Sequence, residues 1–415
     1  MHYNQLDLLV HYHPHSDSRH ELYHSQMAHR YRLKDTQIQK NHLNNKKKFL
    51  RIFKRCENLT MLNYDLCIIG AGMFGSSAAR HASANPCIKV CLIGPNEPTF
   101  YYPVGALLGA LKESPHLLKW KTELETRKIP FHDFLNKDIL EQRYPYLKLE
   151  DCYDFFLDDN GSGHISPRNI VEAQKKVAEE QGCVIVNEVV NEVKDNCSGI
   201  HEVRTESGKL ITAKRLLFCT GAFTKLKYLN PVEKLKITAH KETASLLEVT
   251  DGEQKRLSSM PVIVIYRKEI EDMPSTTTGV YMLPPIKYPD GKYYLKIGPM
   301  GHQRNSELTT LREAKEWYSD AGDSEVIEKL SKFARKIIPD WKVNAMRSKT
   351  CITCDSPSRL PYIDRITPTV TVAVVGNGLG ATTCDEVGRI AACLSITGKW
   401  DSELTKSLFE IILEE

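Results

Sequence analysis

The residues best suited to bind a ligand form a glycine-rich turn early in the chain. An apolar segment, 64–70, runs into Gly70-Ala71-Gly72-Met73-Phe74-Gly75, and an alanine-rich segment, 76–84, follows. The spacing G-x-G-x-x-G between a predicted strand and a predicted helix is typical of a dinucleotide pyrophosphate site. The first glycine permits the tight turn, the second lets the backbone approach a phosphate, and the third lets the helix pack on the strand. The helix N-terminus then presents backbone N–H groups to the phosphates.

The acidic residue that usually follows the second strand of such a unit is missing. The apolar segment 89–93 predicts that strand, and Gly94 stands where an Asp or Glu normally contacts the adenosine ribose. Either Glu97 or backbone groups would have to hold the ribose instead. The motif therefore predicts a dinucleotide site without deciding how its sugar is bound.

Later segments indicate which dinucleotide is bound. Nicotinamide enzymes usually complete one contiguous sheet, whereas here the remaining pieces are far apart in the chain. They are a helix over 170–181 after Ser166-Pro167-Arg168, a strand over 182–190 that ends at Val190, a strand over 216–222 that contains Thr220 and Gly221, and a strand over 370–375 that enters Gly376-Asn377-Gly378 before a helix over 383–397. This distribution is typical of a divided flavin domain, in which the second glycine-rich turn can meet the isoalloxazine ring.

In this order the segments resemble the FAD-dependent amine oxidoreductases of the D-amino-acid oxidase superfamily, and they look most like the monomeric sarcosine oxidase group. The resemblance covers about 64–400. It implies an α/β protein with a discontinuous, Rossmann-like FAD-binding domain and an inserted mixed or antiparallel β-sheet substrate domain. We expect the FAD-binding domain in 62–235 and 345–415 and the substrate domain in 236–344. Within the latter, the sequence predicts strands over 244–249, 262–266, 280–284 and 292–297 and a helix over 325–338.

Cys351 is the residue that the resemblance places on the flavin. In the family, a Cys thiolate at this position bonds to the 8α-methyl carbon of the flavin, and the segment 350–357 followed by Tyr362-Ile363-Asp364 resembles the one that carries it. A buried, unreactive Cys and half of a C-x-x-C pair with Cys354 are the alternatives. The residues expected to contact FAD are Gly70, Ala71, Gly72, Met73, Phe74, Gly75, Val190, Thr220, Gly221, Cys351, Gly376 and Gly378.

Lys296 is the residue that the resemblance assigns to dioxygen activation. Dioxygen accepts one electron first, and a fixed cation stabilises the resulting negative charge. Because side chains alternate along a strand, Lys296 points to the other face of the sheet from Leu295 and Ile297. This orientation also allows a lysine that faces solvent. The resemblance further places Tyr281 at an active-site Tyr position and His302 about two residues from an active-site His position. The alternative for His302 is a structural role.

The cations that hold the substrate carboxylate in sarcosine-type enzymes have no counterpart here. Neither 99–109 nor 380–385 contains Arg or Lys, although a carboxylate normally needs a charge-assisted partner. Phe100, Tyr101 and Tyr102 would line an apolar or aromatic pocket, or simply pack beneath a loop.

The resemblance implies a reaction class, and two alternatives to it stay open. We expect a secondary amine or N-substituted amino acid to be oxidised to an imine while O2 is reduced to H2O2. One alternative is an FAD dehydrogenase of an amino or hydroxy acid that passes electrons to a carrier. The other is a flavin-binding protein that has lost catalysis.

Composition excludes several other classes of protein. The 415 residues carry a formal net charge of +4, with 41% hydrophobic and 26% charged residues. These values fit neither a nucleic-acid partner nor wholesale disorder, and no apolar run reaches the roughly 18 residues of a membrane helix. The 12 cysteines show no paired spacing of a disulfide framework. We therefore expect an intracellular, cytoplasmic protein without a metal site, and the resemblance implies a monomer.

The first 60 residues differ from the rest of the chain. They contain 11 Lys and Arg, 5 Asp and Glu, and 8 of the 15 His. We expect a poorly ordered basic tail, with translation naturally beginning at Met61. A mitochondrial presequence and a His-rich metal site are the alternatives.

Overall fold

The computed structural model of the protein describes residues 62–92, 100–112, 114–126, 131–135, 137–159, 161–196, 199–227, 229–266, 278–302 and 305–414. Within these residues the chain forms two compact units. The nucleotide unit comprises the described residues of 62–100, 167–237 and 355–414, and the sheet unit comprises those of 101–166 and 238–354. The predicted tail, the start at Met61 and the predicted ribose contact of Glu97 lie outside the described residues.

The strands are numbered along the chain. They are β1 (Leu62–Tyr64), β2 (Leu66–Ile69), β3 (Val90–Leu92), β4 (Tyr101–Tyr102), β5 (Ala106–Leu111), β6 (His132–Leu135), β7 (Tyr153–Asp158), β8 (His164–Ile165), β9 (Val184–Ile185), β10 (Val190–Asn196), β11 (Ile200–Thr205), β12 (Leu210–Ala213), β13 (Leu216–Phe218), β14 (Thr238–Val249), β15 (Val262–Tyr266), β16 (Gly279–Lys287), β17 (Tyr293–Met300), β18 (Glu307–Leu308), β19 (Val343–Asp355), β20 (Tyr362–Thr367) and β21 (Val370–Val374).

The helices are numbered in the same way. They are α1 (Met73–Ser83), α2 (Pro115–Thr126), α3 (Lys137–Arg143), α4 (Pro167–Glu180), α5 (Phe223–Leu226), α6 (Asp251–Arg256), α7 (Leu311–Ser319), α8 (Ser324–Ile337) and α9 (Gly380–Thr397), with a 3-10 helix over Lys406–Phe409. Helix α7 begins with a capping box between Thr310 and Glu313. The Asp323 side chain caps α8 by accepting from the backbone N–H groups of Glu325 and Val326.

A six-stranded sheet organises the nucleotide unit, with the strand order β20-β21-β13-β2-β3-β9. The strands from β9 to β21 run parallel, and β20 pairs antiparallel with β21. The apolar residues of β2, β3 and β13 are buried throughout, as expected of parallel strands covered by helices. A separate four-stranded sheet has the order β1-β12-β11-β10. The predicted α/β class is confirmed.

Helices α1 and α9 pack against each other through small residues. A Cβ on Gly388 would overlap the side chain of Ser77, and Ala78 and Ala82 are buried. Helix α1 follows β2, and α9 follows β21. Because these strands are parallel members of one sheet, both helix N-termini lie at its carboxyl edge, where ligands of such sheets bind.

The sheet unit is built on a nine-stranded, mostly antiparallel sheet. Its strand order is β18-β14-β17-β16-β15-β5-β7-β6, and β19 pairs with β14. One face carries Leu247, Leu295 and Ile297 and packs on apolar residues of α8, including Leu330 and Ile337. The opposite face carries a second apolar cluster with Val264, Tyr281 and Leu283 and with Trp120 of α2. The predicted mixed or antiparallel sheet and the predicted helix over 325–338 are both present.

Two segments differ from the sequence-based expectation. The predicted first FAD-binding segment, 62–235, is divided between the units, because β5 pairs in parallel with β15 and antiparallel with β7 in the sheet unit. The predicted strand over 182–190 is two strands, β9 and β10, which belong to different sheets. Neither pairing leaves a local signal in the sequence, since each joins residues distant along the chain.

In the described part of the chain, no helix combines the length and apolar character needed to cross a membrane. The cysteines in this part are all free thiols.

Candidate functional site

The first glycine-rich turn leaves an open cradle at the start of α1. Gly70 has a φ of +101°, and a Cβ there would overlap the carbonyl group of Cys219. A Cβ on Gly75 would overlap the carbonyl oxygen of Gly70, whereas a Cβ on Gly72 would meet no atom of the described residues within 4 Å. Gly72 is the N-cap of α1 and provides no side-chain cap. The first backbone N–H groups of α1 therefore face an open space that a phosphate can fill.

The second glycine-rich turn lies close to the first. Val375 and Asn377 have φ values of 71° and 48°, and Gly378 has 76°. A left-handed conformation costs a β-branched residue such as Val375 about 1–3 kcal/mol, and such strain is concentrated at functional sites. A Cβ on Gly380 would lie 3.1 Å from the terminal methyl of Met73. The turns predicted from sequence around Gly72 and Gly376 are therefore neighbours in space.

The second turn is braced by a polar side chain, and the helix that follows it has two features suited to a ligand. The Asn377 side chain braces the turn by accepting from Ser356 N at 3.0 Å and donating to Val375 O at 3.2 Å. Helix α9 has Leu379 as its N-cap and no side-chain cap. The buried hydroxyl of Thr382 in its first turn has no hydrogen-bond partner among the described residues. An unsatisfied buried hydroxyl costs about 1–3 kcal/mol, which a bound polar group would recover.

The predicted contacts Thr220 and Gly221 follow β13, which lies between β2 and β21. The hydroxyls of Thr220 and Thr224 are 2.7 Å apart, and Gly221 has a φ of 55° with open space where a Cβ would be. Val190 begins β10 of the four-stranded sheet and is buried. Thr220 and Gly221 thus join the two glycine-rich turns at one sheet edge, and Val190 lies in another sheet of the same unit.

A buried carboxylate holds the helices behind these turns together. Asp385 of α9 forms an ion pair with Arg80 of α1 and accepts from Gln174 Nε2 of α4 at 3.2 Å. Its Oδ1 is 3.3 Å from His81 Nε2. Burial by itself would raise the pKa of Asp385, but the bond from His81, the Arg80 charge and the Gln174 amide outweigh it and hold the pKa well below its usual range.

Replacing Asp385 by Asn should lower the free energy of unfolding by about 3–5 kcal/mol at pH 7, because the partly buried Arg80 is left without its charged partner. The folded-state pKa lies below the unfolded one, so this stabilisation is present above about pH 4 and is lost as the pH falls through the lower folded pKa. Urea titrations of parent and variant should therefore converge at acidic pH. Glu316→Gln, which removes the exposed pair with Arg312, is the control and should cost less than about 0.5 kcal/mol. Equal stability of Asp385→Asn and parent at pH 7 would contradict this role.

The sheet unit carries the predicted catalytic lysine in a fully buried position. Lys296 is 0% exposed, and its Nζ lies 5.6 Å from the centroid of the Tyr281 ring, a cation–π arrangement. Tyr281 lies opposite Gly298 on the neighbouring strand, and a Cβ on Gly298 would overlap the phenol ring. The predicted orientation of Lys296 away from Leu295 and Ile297 is confirmed, since both of these residues belong to the cluster on α8. We call the side of the sheet that carries Lys296 and Tyr281 the lysine face.

Cys351 belongs to the same electrostatic environment as Lys296. Burial and the Glu242 carboxylate raise the pKa of the Cys351 thiol to about 12, and the charges of Lys296 and Lys349 act in the opposite direction. The backbone carbonyl of Cys351 accepts from Trp317 Nε1 at 2.9 Å. The thiol is therefore protonated at neutral pH in this structure, and the two lysines are the groups that favour its thiolate.

His302 is paired with a carboxylate that the sequence analysis does not single out. His302 Nδ1 lies 2.7 Å from Glu242 Oε1, and the His302 ring stacks on His240 with centroids 4.1 Å apart. Leu246 lies opposite Lys296 in the register of β14 and β17. Because side chains alternate along a strand, Glu242 and Leu246 of β14 share the lysine face. This alternation is the sequence signal that could have found Glu242.

His164 is a second residue that sequence reasoning missed. It is 3% exposed and stacks on Tyr102, with ring centroids 4.7 Å apart. Burial and the nearby Lys296 charge lower the pKa of His164 to about 4, so the ring is neutral at pH 7. Within the part of the chain that the structure describes, its buried Nδ1 has no hydrogen-bond partner. Thus the structure brings Lys296, Tyr281, Cys351 and His302 together in the sheet unit and adds Glu242, His164 and Tyr102.

Comparison with known families identifies the family of this chain. The FAD dependent oxidoreductase family model (DAO) matches residues 96–394, well over half of the chain. The chain belongs to this FAD-dependent oxidoreductase family. The predicted superfamily is confirmed, and FAD is the cofactor.

Solved structures show the same fold at low sequence identity. NikD, an unusual amino acid oxidase essential for nikkomycin biosynthesis, is 16% identical with a TM-score of 0.67, covering 86% of this chain and 99% of its own. Amadoriase I from Aspergillus fumigatus, a fructosyl amine:oxygen oxidoreductase, is 17% identical with a TM-score of 0.62, covering 85% and 90%. L-proline dehydrogenase from P. horikoshii is 15% identical with a TM-score of 0.62, covering 85% and 97%. No curated protein matches the chain significantly by sequence.

The residues of the nucleotide unit fit FAD. The open space above Gly72, the uncapped N-termini of α1 and α9 and the unsatisfied Thr382 hydroxyl are features that a flavin dinucleotide would fill and satisfy. They lie at the carboxyl edge of a parallel sheet, where such cofactors bind.

Proposed function

We propose that this FAD-dependent oxidoreductase oxidises the C–N bond of a secondary amine or an N-substituted amino acid to an imine and reduces O2 to H2O2. The observation that supports this proposal is the buried Lys296 ammonium against Tyr281, in an environment shared with Cys351 and Glu242. Burying a cation costs several kcal/mol, so buried cations are concentrated at sites where the charge has a function.

The proposed roles follow from the chemistry of each group. FAD, when bound, accepts the hydride equivalent that the substrate loses. Gly70 to Gly75, Thr220, Gly221, Gly376 and Gly378 would hold the dinucleotide through backbone N–H groups. Lys296 would stabilise the negative charge that dioxygen acquires with its first electron, in a site from which water is excluded. The stacked Tyr102 and the neutral His164 favour a substrate with an apolar or aromatic part.

Anaerobic mixing with a panel of amines tests the reaction class. Bleaching of the flavin absorbance by an amine, followed by rapid recovery and peroxide formation when air is admitted, is the expected result. Rapid bleaching with slow recovery in air would instead favour the dehydrogenase alternative, which the same fold supports in L-proline dehydrogenase. A flavin that no amine bleaches would favour a protein that binds FAD without catalysis.

We further propose that Cys351 would hold FAD covalently, through its sulfur and the 8α-methyl carbon of the flavin. The C–S bond would replace the S–H bond of the thiol and one C–H bond of the methyl group, and the two electrons released would pass to dioxygen, the oxidant of the proposed reaction. Acid precipitation of the purified protein should then leave the yellow colour in the pellet, whereas Cys351→Ser should release it into the supernatant. Cys354→Ser is the matched control, because Cys354 is equally buried three residues further along β19, and it should keep the pellet yellow. A parent protein that releases its flavin on acid treatment would contradict the covalent bond.

A further inference from the structure

Amine oxidation requires that the substrate nitrogen first lose a proton. Alkylamines, like the Lys side chain with its reference pKa of about 10.4, are largely protonated at neutral pH. A protonated nitrogen has no lone pair to assist the departure of a hydride from the neighbouring carbon. An enzyme that works on such a substrate therefore benefits from a general base beside it.

The Glu242–His302 pair has the geometry of such a base. Glu242 is 8% exposed, and its Oε1 lies 2.7 Å from His302 Nδ1. An ionised carboxylate can only accept a hydrogen bond, so His302 Nδ1 must be the donor. In the neutral ring this leaves the lone pair on Nε2, which fixes the tautomer that can receive a proton.

Neighbouring groups hold this pair in place. Thr353 Oγ1 lies 3.4 Å from Glu242 Oε1, and His240 stacks on the His302 ring while its own Nδ1 lies 3.1 Å from Ser306 Oγ. The ionisable groups on the surrounding elements are His240 of β14, Lys296 of β17, and Lys349, Cys351 and Asp355 of β19. Glu242 is the carboxylate bonded to His302, whereas the Asp355 carboxylate pairs with Arg359. Glu242 is therefore the group that would stabilise an imidazolium there.

We propose that Glu242 and His302 form a proton-accepting pair for the substrate amine, an inference that rests on the proposed function. The N–H bond of the substrate ammonium breaks, the nitrogen keeps the electron pair, and a new N–H bond forms at His302 Nε2. Glu242 is a positioning residue: it orients the ring and stabilises the imidazolium. The proton then leaves His302 for water, and the step consumes no oxidant or reductant.

Nuclear magnetic resonance of protein labelled with 15N-histidine tests the pair without any turnover. With His302→Gln used to assign the signal, the parent should show Nδ1 protonated and Nε2 unprotonated. Glu242→Gln should lower the pKa of His302 by about 1 or more, because a neighbouring negative charge is lost. Glu248→Gln, on the same strand but paired with Lys292, should leave this pKa unchanged. An Nε2-protonated tautomer, or the same His302 titration in Glu242→Gln and parent, would overturn the pairing.

A kinetic experiment tests whether the Glu242–His302 pair takes part in the reaction. The flavin is reduced anaerobically in a stopped-flow instrument by the amine that bleaches the parent fastest. The limiting rate in the parent should rise with pH through the pKa of His302. In Glu242→Gln this rise should move to lower pH and the plateau should fall roughly 10²-fold, with Glu242→Asp recovering part of the loss. Identical pH profiles, or a change in KM alone, would overturn the proton-accepting role.

Failure of this inference and failure of the proposed function give different results. If no amine bleaches the parent flavin, the proposed function fails, and the proton-accepting role fails with it even where the resonance data show the pair. If an amine bleaches the flavin at the same rate in Glu242→Gln and parent, the function stands and the inference alone is wrong.

Discussion

Replacing Lys296 by Met should slow the reoxidation of the reduced protein by dioxygen by roughly 10²–10³-fold, the cost of removing one group that stabilises developing negative charge. Lys296 is fully buried in the face of a sheet. Methionine has a similar length and an apolar end, so it should fill the same space without a buried charge. The substrate half of the reaction does not need this cation and should proceed within a few-fold of the parent rate.

Two stopped-flow measurements check this expectation. The protein is reduced by substrate under anaerobic conditions, and the reduced protein is then mixed with oxygenated buffer. Lys292→Met is the matched control, because Lys292 lies just before β17, pairs with Glu248 and is itself about half exposed. It should reoxidise like the parent. Equal reoxidation rates in Lys296→Met and parent would remove Lys296 from the oxygen reaction.

Replacing Gly75 by Ala should destabilise the nucleotide unit by more than about 4 kcal/mol, a loss reserved for severe backbone conflicts. The new Cβ would overlap the carbonyl oxygen of Gly70, and both atoms belong to the backbone of the turn. Since no side-chain rotation can relieve the overlap, α1 would have to move away from β2. Urea denaturation of FAD-free protein, followed by circular dichroism, measures the effect.

Gly72→Ala is the matched substitution three residues earlier in the same turn. In the described part of the protein, a Cβ there meets no atom within 4 Å, and the φ of −74° suits alanine. The free energy of unfolding should therefore stay within about 0.5 kcal/mol of the parent. In a Cys351→Ser background, where FAD is held without a covalent bond, FAD affinity should fall at least tenfold, because the methyl group occupies the space that the pyrophosphate needs. Parent-like stability of Gly75→Ala, or unchanged FAD affinity of Gly72→Ala, would contradict these assignments.

The parts of the protein that were predictable from sequence are those whose signal is local. The turn at Gly70 to Gly75 was predictable because a strand, a tight turn and a helix start involve contacts within a few residues. The direction of Lys296 followed from the two-residue repeat of a strand between the apolar neighbours Leu295 and Ile297.

The contacts that these residues make depend on the pairing of strands and helices that are distant in the sequence, which no local sequence pattern predicts. Glu242 meets His302 across 60 residues, and Asp385 meets Arg80 across 305. The sequence places Tyr102 and His164 in separate segments, and only the pairing of β4 with β8 stacks their rings. The sequence-based expectation was a single strand over 182–190, whereas hydrogen bonding places Val184–Ile185 and the strand that begins at Val190 in different sheets.

The family, the cofactor and the α/β class of this protein were predictable from its amino-acid sequence, because glycine-rich turns and the order of strands and helices depend on short segments. The environments shared by distant side chains follow from the folded structure: the buried Lys296 beside Tyr281, the Glu242–His302 pair and the Asp385 network behind the two turns. The physical reason is that charge, burial and hydrogen bonding act through space. Their strength is set by neighbours that the chain brings together only when its sheets form.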